Sequence, residues 1–264
     1  MRLITWNVNR RFSVLAEQAA ALAGRAPDVV ALQEVTASSW PLWRAALQTI
    51  GLPQAVWSLD GADPARQPIS RRRSGVVLAA RELAFAPPLE VPWPETTLAG
   101  RVEGVVVHTA HVPNAANGWI KPDTLAALRA GLEGGSGPRV LCGDFNTPRR
   151  EKPDGTVISF ARDSKERLRP ERGERWDSAE LGVVPRLSEL GFADAFRTVH
   201  GYGSKEPSWV WSHGGGWRLD HVFAAGLEVE AAVYHHDWRD DGLSDHSALE
   251  VDVAPDSSHP RGGR

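Results

Sequence analysis

Residues 140–146 read Val-Leu-Cys-Gly-Asp-Phe-Asn, and the fold of the chain is most easily inferred from this stretch. Val140 to Gly143 has the apolar composition of a short buried strand, which delivers Asp144 into a loop. One tight turn then presents the Asp144 carboxylate and the Asn146 amide to the same ligand. Because Pro148 follows closely, an Asx turn without chemistry explains the pair equally well, and spacing alone leaves both interpretations open.

The size of the chain limits the number of domains around this stretch. It has 264 residues, of which 42% are hydrophobic. Such a chain can bury a sizeable core, and large β sandwiches of this length are often one domain. We predict a single domain over residues 1–254 and, from the Pro, Ser, Gly and Arg that follow Val253, a disordered tail over residues 255–264.

Cysteine usage and the start of the chain bear on its compartment. Cys142 is the one cysteine, which excludes an intramolecular disulfide and a cysteine-cluster metal site and fits a reducing compartment. Met1 to Trp6 resembles a strand instead of a secretion signal, and no apolar run approaches the roughly 18 residues of a membrane span. We therefore expect a cytoplasmic protein without membrane contact, and a monomer.

The net charge of −3 argues against a protein that coats nucleic acid by bulk electrostatics, although a local basic rim could still steer phosphates. Basic clusters occur at Arg71–Arg73, at Arg149–Arg150, and from Arg162 to Arg175, where acidic residues are interleaved. Taken one at a time, these clusters are typical of a solvated, arginine-rich surface.

Hydrophobic periodicity predicts strands and helices that alternate early and strands that recur late. Ser13 is expected to cap a first helix that stops at Gly24. Thr147 to Ala179 is charged and weakly periodic, which predicts an irregular surface excursion. Further helices are predicted at about 39–50, at 123–132 and through Leu187 and Leu190. Strands are predicted at 3–8, 28–35, near 56, at 75–80, 102–111, 140–143, 208–212, 217–224, 227–235 and 247–253. This order is compatible with two β sheets packed face to face and helices outside each.

Polar residues at the ends of apolar strands indicate chemistry, because a carboxylate there costs desolvation energy unless a metal or a donor occupies it. Five points stand out: Asn7 with Asn9, Glu34, His111 with Asn114, Asp144 with Asn146, and Asp220 with Asp245 and His246.

Oxygen-rich ligands favour a hard cation, so we expect magnesium or manganese before zinc. Glu34 is the candidate anchoring carboxylate, although a strand-end Glu can simply face solvent. Asn7 is also ambiguous, because Asn at a strand end often forms a turn. Asp220 could orient the His246 imidazole through one ring nitrogen.

In this order the motifs resemble the endonuclease/exonuclease/phosphatase superfamily, from residues 5–9 (Thr-Trp-Asn-Val-Asn) to residues 244–246 (Ser-Asp-His). The resemblance implies a four-layered α/β/β/α sandwich of two mixed sheets and a Mg²⁺-dependent phosphodiester hydrolase in which Mn²⁺ can substitute. It also implies in-line attack of water on phosphorus.

The resemblance assigns roles to individual residues. Glu34 corresponds to the principal metal ligand, with Asn7 and Asn9 around the same cation and Asp245 as an accessory carboxylate. Asp144 corresponds to the group that positions or deprotonates water, and Asn146 to its phosphate-binding partner. Asp220 and His246 correspond to a dyad at the scissile phosphate, near His111. Whether Asp144 or His246 is the base stays open.

The nearest branch is that of exonuclease III and the abasic-site endonucleases. Residues 108–115 (His-Thr-Ala-His-Val-Pro-Asn-Ala) resemble its strand in which an Asn, here Asn114, contacts phosphate. Trp209 and Trp217 resemble an aromatic segment that lines a sugar pocket, with sheet core as the alternative. Arg149 is a further candidate for substrate binding.

Two departures keep the substrate open, since Val35-Thr36 stands where abasic-site endonucleases usually carry Thr-Lys and His111 replaces their Tyr. DNA is the expected partner. The alternatives are a small phosphorylated molecule or lipid head group, which the acidic net charge favours, and a catalytically inactive binding module.

Overall fold

A computed structural model describes residues 1–60 and 74–256 of the chain. The Arg71–Arg73 cluster and residues 257–264 of the expected tail lie outside the described residues. Within these ranges, none of the helices combines the length and apolar composition that crossing a membrane requires.

Sixteen strands and six α-helices make up the described chain. The strands are β1 (Arg2–Asn7), β2 (Val29–Thr36), β3 (Gln54–Trp57), β4 (Ser74–Ala80), β5 (Ala84–Phe85), β6 (Thr97–Val102), β7 (Val105–His111), β8 (Arg139–Asp144), β9 (Arg150–Glu151), β10 (Val157–Ile158), β11 (Ala193–Asp194), β12 (Trp209–Val210), β13 (Gly216–Trp217), β14 (Asp220–Ala225), β15 (Leu227–His235) and β16 (Ala248–Pro255). The helices are α1 (Leu15–Arg25), α2 (Trp40–Thr49), α3 (Ile120–Leu132), α4 (Gly173–Val183), α5 (Ala195–His200) and α6 (His236–Asp240), with 3₁₀ turns at Pro94–Thr96, Ala115–Asn117 and Arg186–Leu190.

Two mixed six-stranded sheets form the centre, with strand orders β15-β16-β1-β2-β4-β3 and β11-β14-β8-β7-β6-β5. Their inner faces share one core that includes Leu3, Val107 and Leu249. Leu22 and Trp43 of α1 and α2 cover the outer face of the first sheet. Leu128 of α3 packs with Val183 of α4 over the second sheet. These layers confirm the predicted α/β/β/α sandwich.

Strand pairing brings the predicted polar residues to one edge of the sandwich. The parallel pair β1–β2 sets Asn7 beside Gln33, and the parallel pair β7–β8 sets His111 beside Asp144. Antiparallel β14 begins at the same edge, with Asp220 beside Asp144. Because parallel strands end together and antiparallel partners begin there, polar residues far apart in sequence converge.

Two backbone features adjust this edge. The pairing of β2 with β4 shifts between Leu32 and Val35, and Glu34 within this bulge has a φ of 61°. Such a bulge re-aims a side chain that strict alternation would place elsewhere. At Gly143, which has a φ of 135°, an added Cβ would overlap the carbonyl oxygen of Ala110. Glycine therefore lets β8 approach β7 closely.

Several expected element boundaries were wrong. Helix α1 has no side-chain cap from Ser13, and it passes through Gly24 to end before Ala26, whose backbone is left-handed. The valine-rich run at 102–111 is two strands, because Glu103 and Gly104 make a tight turn with positive φ. The run at 217–224 is likewise divided between β13 and β14.

The stretch from Thr147 to Ala179 is not an irregular surface excursion. It contains the β9–β10 hairpin and most of α4, and its residues Thr147, Ser159 and Ala161 are fully buried. It therefore covers part of the second sheet instead of projecting into solvent.

Candidate active site

A cavity of about 600 Å³ opens at the shared edge of the two sheets. All the predicted site residues line it except Asp220 and Arg149. Those that do are Asn7, Asn9, Glu34, His111, Asn114, Asp144, Asn146, Trp209, Trp217, Asp245 and His246. Ligand sites commonly occupy cavities of this size, so the edge offers one candidate active site.

Asp144 lies at the end of β8 and is 1% exposed. Its Oδ2 accepts a hydrogen bond from Asn7 Nδ2 at 3.0 Å, which joins the two sheets across the cavity. Burial, and then the negative charge of Asp220, raise the pKa of Asp144. A nearby positive charge would therefore stabilise the ionised form of the Asp144 carboxylate.

The turn after Asp144 is an Asx turn and part of the cavity wall at once. The Asn146 N–H donates to Asp144 Oδ1 at 2.9 Å, and Asn146 Nδ2 donates to the carbonyl of Val112 at 2.8 Å. Asn146 has a φ of 51°, a conformation that Asn tolerates better than most residues. The two interpretations of the Asp144-Asn146 pair are thus compatible.

His246 and Asp220 form a buried dyad behind the cavity. His246 Nδ1 lies 2.8 Å from Asp220 Oδ2, which leaves Nε2 directed at the cavity, 3.9 Å from Asp144 Oδ2. Backbone contacts fix Asp220, whose N–H donates to Ser208 Oγ and whose carbonyl accepts from Tyr234. Burial alone would lower the pKa of His246, but the charges of Asp220 and Asp144 raise it to about 10.

Glu34 and His111 form the opposite wall. His111 Nε2 is 3.8 Å from Glu34 Oε1 and 3.7 Å from Asp144 Oδ2, so the imidazole lies between the two carboxylates. Glu34 Oε2 is 2.7 Å from Arg10 Nε, yet neither atom has a hydrogen-bond partner among residues 1–60 and 74–256, since the N–H does not point at the oxygen. Arg10 therefore faces the carboxylate that the sequence predicts as the metal anchor.

The remaining predicted ligands surround the same space. Asn7 Oδ1 accepts from the Asn9 N–H at 3.0 Å, and the Asn7 carbonyl accepts from Ser244 Oγ at 2.6 Å. Asp245 Oδ2 accepts from Trp209 Nε1 at 3.2 Å, whereas its buried Oδ1 has no hydrogen-bond partner in the part of the chain that the structure describes.

The donor set fits a hard divalent cation. Side-chain atoms of Asp144, Asp220 and His246 lie within 4.8 Å of one another, which adds two carboxylates to the negative charge of Glu34 and Asp245 at this edge. Within the described part of the chain, buried carboxylate oxygens of Glu34, Asp220 and Asp245 have no hydrogen-bond partner. Clustered carboxylates with unused lone pairs suit a cation that prefers oxygen, and Cys142 is buried away in the core.

The aromatic residues at the rim are not sheet core. Trp209 and Trp217 stack with ring centroids 5.2 Å apart and planes 11° apart, and both are half-buried. Asn114 caps the adjacent 3₁₀ turn by accepting from the Ala116 N–H. Arg149 instead lies on the far side of Trp217, where its Nη1 donates to the Arg162 carbonyl.

Sequence reasoning missed several residues that line the cavity. Arg10 directly follows Asn9, so a charged side chain beside two predicted ligands was a usable signal. Ser74 begins β4, and Thr96 and Asn117 each end a 3₁₀ turn, but no sequence pattern marks them as site residues. Leu219 lies between Arg218 and Asp220 and completes the wall.

Known proteins resemble the chain in sequence profile and in fold. Residues 4–246 match the sequence profile described as the Endonuclease/Exonuclease/phosphatase family. No curated protein sequence matches the chain significantly.

Solved structures share the fold over nearly the whole chain. An AP endonuclease from Archaeoglobus fulgidus superposes with a TM-score of 0.69 at 20% identity, covering 97% of this chain and 99% of that chain. A 3′ phosphatase from Neisseria bound to a product DNA hairpin gives 0.65 at 22% identity, covering 96% and 99%. A 3′-5′ exonuclease from Neisseria meningitidis gives 0.64 at 23% identity, with the same coverage. At sequence identities of 20–23%, this structural similarity establishes the fold of the chain.

Proposed function

The chain belongs to the endonuclease/exonuclease/phosphatase family, and from this premise we propose that it is a Mg²⁺-dependent hydrolase of phosphodiester bonds in DNA. One observation carries the proposal. Asp144 lies between the His246–Asp220 dyad and the Glu34–His111 pair in a single cavity. Carboxylates for a cation and an imidazole for a phosphoryl oxygen are the groups that phosphoester hydrolysis requires.

Glu34, Asn7 and Asp245 would hold the cation, with Asn9 supporting Asn7. Mg²⁺ is favoured and Mn²⁺ can substitute, because both prefer oxygen ligands. When bound, the cation would neutralise charge on the phosphoryl oxygens. Asp245 Oδ1, which has no hydrogen-bond partner among the described residues, and the Glu34 carboxylate at the same cavity support this assignment.

The protein groups divide the remaining work. Asp144, held by the Asn7 amide and the Asn146 N–H, accepts a hydrogen bond from the attacking water and orients it toward phosphorus. Asn146 holds the Asp144 loop in place. Asp220 accepts from His246 Nδ1 and stabilises a positive imidazole, whose Nε2 then donates to the phosphoryl or leaving oxygen. His111 supplies a second imidazole on the opposite side.

DNA is the preferred substrate in this proposal. The structural relatives named above include an AP endonuclease and a 3′ phosphatase bound to a DNA product. His111 and the net charge of −3 favour a second candidate, hydrolysis of a small phosphorylated molecule. The cytoplasmic location and the monomeric state of the protein stay predictions.

The proposal is tested by incubating purified protein and Mg²⁺ with plasmid DNA, an abasic duplex, RNA, and a panel of nucleotides and phosphoinositides. We expect cleavage of a DNA substrate that EDTA abolishes. Cleavage of head groups or nucleotides with untouched nucleic acid would instead establish the second candidate.

A further inference from the structure

A second cavity, of about 730 Å³, adjoins the candidate active site at Trp217. Its walls are the β9–β10 hairpin and the loop at 204–207, and Trp217 belongs to the walls of both cavities. We call this space the basic cavity, after its side chains Arg149, Arg150, Lys152, Arg197, Lys205 and Arg218. It is the larger of the two, and the proposed hydrolysis does not use it.

The acidic side chains of the basic cavity are already neutralised. Glu166 pairs with Arg150 and, at 2.8 Å, with Lys152. Glu151 accepts from both Arg197 and Arg218. Six positive side chains thus face three glutamates in the cavity wall, a formal charge of +3.

The third glutamate also has a partner, because Glu206 Oε2 lies 2.5 Å from His236 Nε2. Arg149 and Lys205, by contrast, have no carboxylate within ion-pair distance among residues 1–60 and 74–256. Lys205 is exposed, and Arg149 is half-buried with one guanidinium nitrogen on a carbonyl. These two cations are therefore available to an anion.

Neighbouring regions of opposite charge meet at Trp217. The candidate active site gathers Glu34, Asp144 and Asp245 and so favours a cation, whereas the basic cavity favours an anion. A ligand that occupies both places its scissile phosphate on the active-site side and a second anionic group in the basic cavity, as successive phosphates of one strand do.

The wall between the cavities is aromatic. Trp217 is held by the face of Trp209 and by the edge of Phe160 at 5.0 Å. Trp211 packs on Trp217 at 4.7 Å and is 37% exposed. Trp211, Trp217 and Arg149 together line a smaller recess beside the basic cavity. Indole faces next to an available guanidinium suit an unpaired base and its phosphate.

We propose that the basic cavity binds one or two unpaired nucleotides adjacent to the scissile phosphate of a polynucleotide strand. Arg149 and Lys205 each contact one phosphate of the strand, and Trp211, in the recess beside the basic cavity, provides the face on which a base stacks. The volume of the basic cavity suits one or two nucleotides. This inference rests on the proposed function, because it assigns that site a strand with a single-stranded segment.

The test is fluorescence anisotropy with a short labelled oligothymidylate in EDTA, so that binding is measured without cleavage. The double variant Arg149→Ala/Lys205→Ala should weaken binding at least about fivefold and reduce the salt slope by about 1.4, since each lost phosphate contact on a single strand accounts for about 0.7. Trp211→Ala should also weaken binding at least about fivefold, through the lost stacking.

The matched control is Arg44→Ala, which removes an exposed arginine of α2 that also lacks an acidic partner among the described residues. It should bind like wild type. Thermal unfolding of every variant checks that the fold is intact. Wild-type affinity in the double variant overturns the proposal, and so does thymidine monophosphate binding as tightly as the oligothymidylate.

A parallel assay separates this inference from the proposed function. Wild-type protein with Mg²⁺ is tested on bis(p-nitrophenyl) phosphate, a diester too small to reach both cavities. Protein that cuts the diester but binds the strand independently of Arg149, Lys205 and Trp211 contradicts only the inference. Protein that binds the strand through these residues but cuts neither the diester nor the DNA substrates contradicts only the proposed function.

Discussion

Replacing Glu151 with glutamine tests the buried charge network that supports Asp220. Glu151 has a side chain only 5% exposed, and it accepts hydrogen bonds at 2.7 Å from Arg218 and from Arg197. Arg218 lies two residues before Asp220 in the chain, so this network anchors the strand that carries the dyad.

The magnitude follows from the pKa of Glu151. Burial would raise this pKa, but the charges and hydrogen bonds of Arg218 and Arg197 lower it from 4.5 to about 2. At about 1.4 kcal/mol per pKa unit, the ionised carboxylate contributes about 3 kcal/mol to stability. A lowered folded-state pKa means that this stability is complete above pH 4.5 and is lost as the pH falls toward 2.

The assay is urea denaturation of wild type and Glu151→Gln at pH 7, 5, 4 and 3. The difference in free energy of unfolding between the two proteins should be constant from pH 7 to 5 and smaller by about 2 kcal/mol at pH 3. The comparison cancels carboxylates outside this network, such as Glu250, whose pKa is also lowered. A difference that is the same at pH 7 and pH 3 would refute the reasoning.

Three further predictions concern the site and its support. Arg10→Ala should tighten Mn²⁺ binding to the free protein at least about fivefold, because the guanidinium 2.7 Å from Glu34 repels the cation. Electron paramagnetic resonance measures the affinity, and Arg11→Ala is the control. Weaker Mn²⁺ binding in Arg10→Ala would contradict this prediction. Glu180→Gln should lower the free energy of unfolding by about 3–5 kcal/mol, because it leaves the fully buried Lys121 ammonium without a counter-charge. The control Arg175→Ala, which breaks the exposed ion pair with Asp123, should lower it by less than about 1 kcal/mol. His246→Ala should slow hydrolysis at least ~100-fold at saturating Mg²⁺ in protein that circular dichroism shows to be folded, and wild-type turnover would remove His246 from the mechanism.

Sequence reasoning located the candidate site because its residues follow strands with clear patterns. Asn7, His111 and Asp144 each end an apolar run, and such runs are identified by local composition alone. The family resemblance then supplied the layered arrangement that periodicity left open.

Helix α4 escaped prediction for a physical reason. Its buried face carries Trp176, Asp177 and Glu180, so the apolar period that marks a helix is missing. Glu180 can be buried there because Lys121, Thr147 and Trp176 all donate to its carboxylate. These partners come from α3, the Asp144 loop and α4 itself, a convergence that only tertiary structure reveals.

The bulge at Glu34 and the contact of Arg10 with it were hidden for the same reason. A strand pattern places Glu34 at an edge but does not indicate that its backbone turns to positive φ. The position of Arg10 after Asn9 indicates that its side chain lies near the site, but it does not indicate that the guanidinium meets Glu34.

The central claim is that Asp144 orients water for metal-dependent hydrolysis, and single-turnover cleavage of DNA by wild type and Asp144→Asn tests it most directly. Wild type should require Mg²⁺, and Asp144→Asn, which keeps the size and the hydrogen-bonding turn, should cleave at least ~100-fold more slowly with an unchanged melting temperature. Cleavage by Asp144→Asn at the wild-type rate would contradict the account.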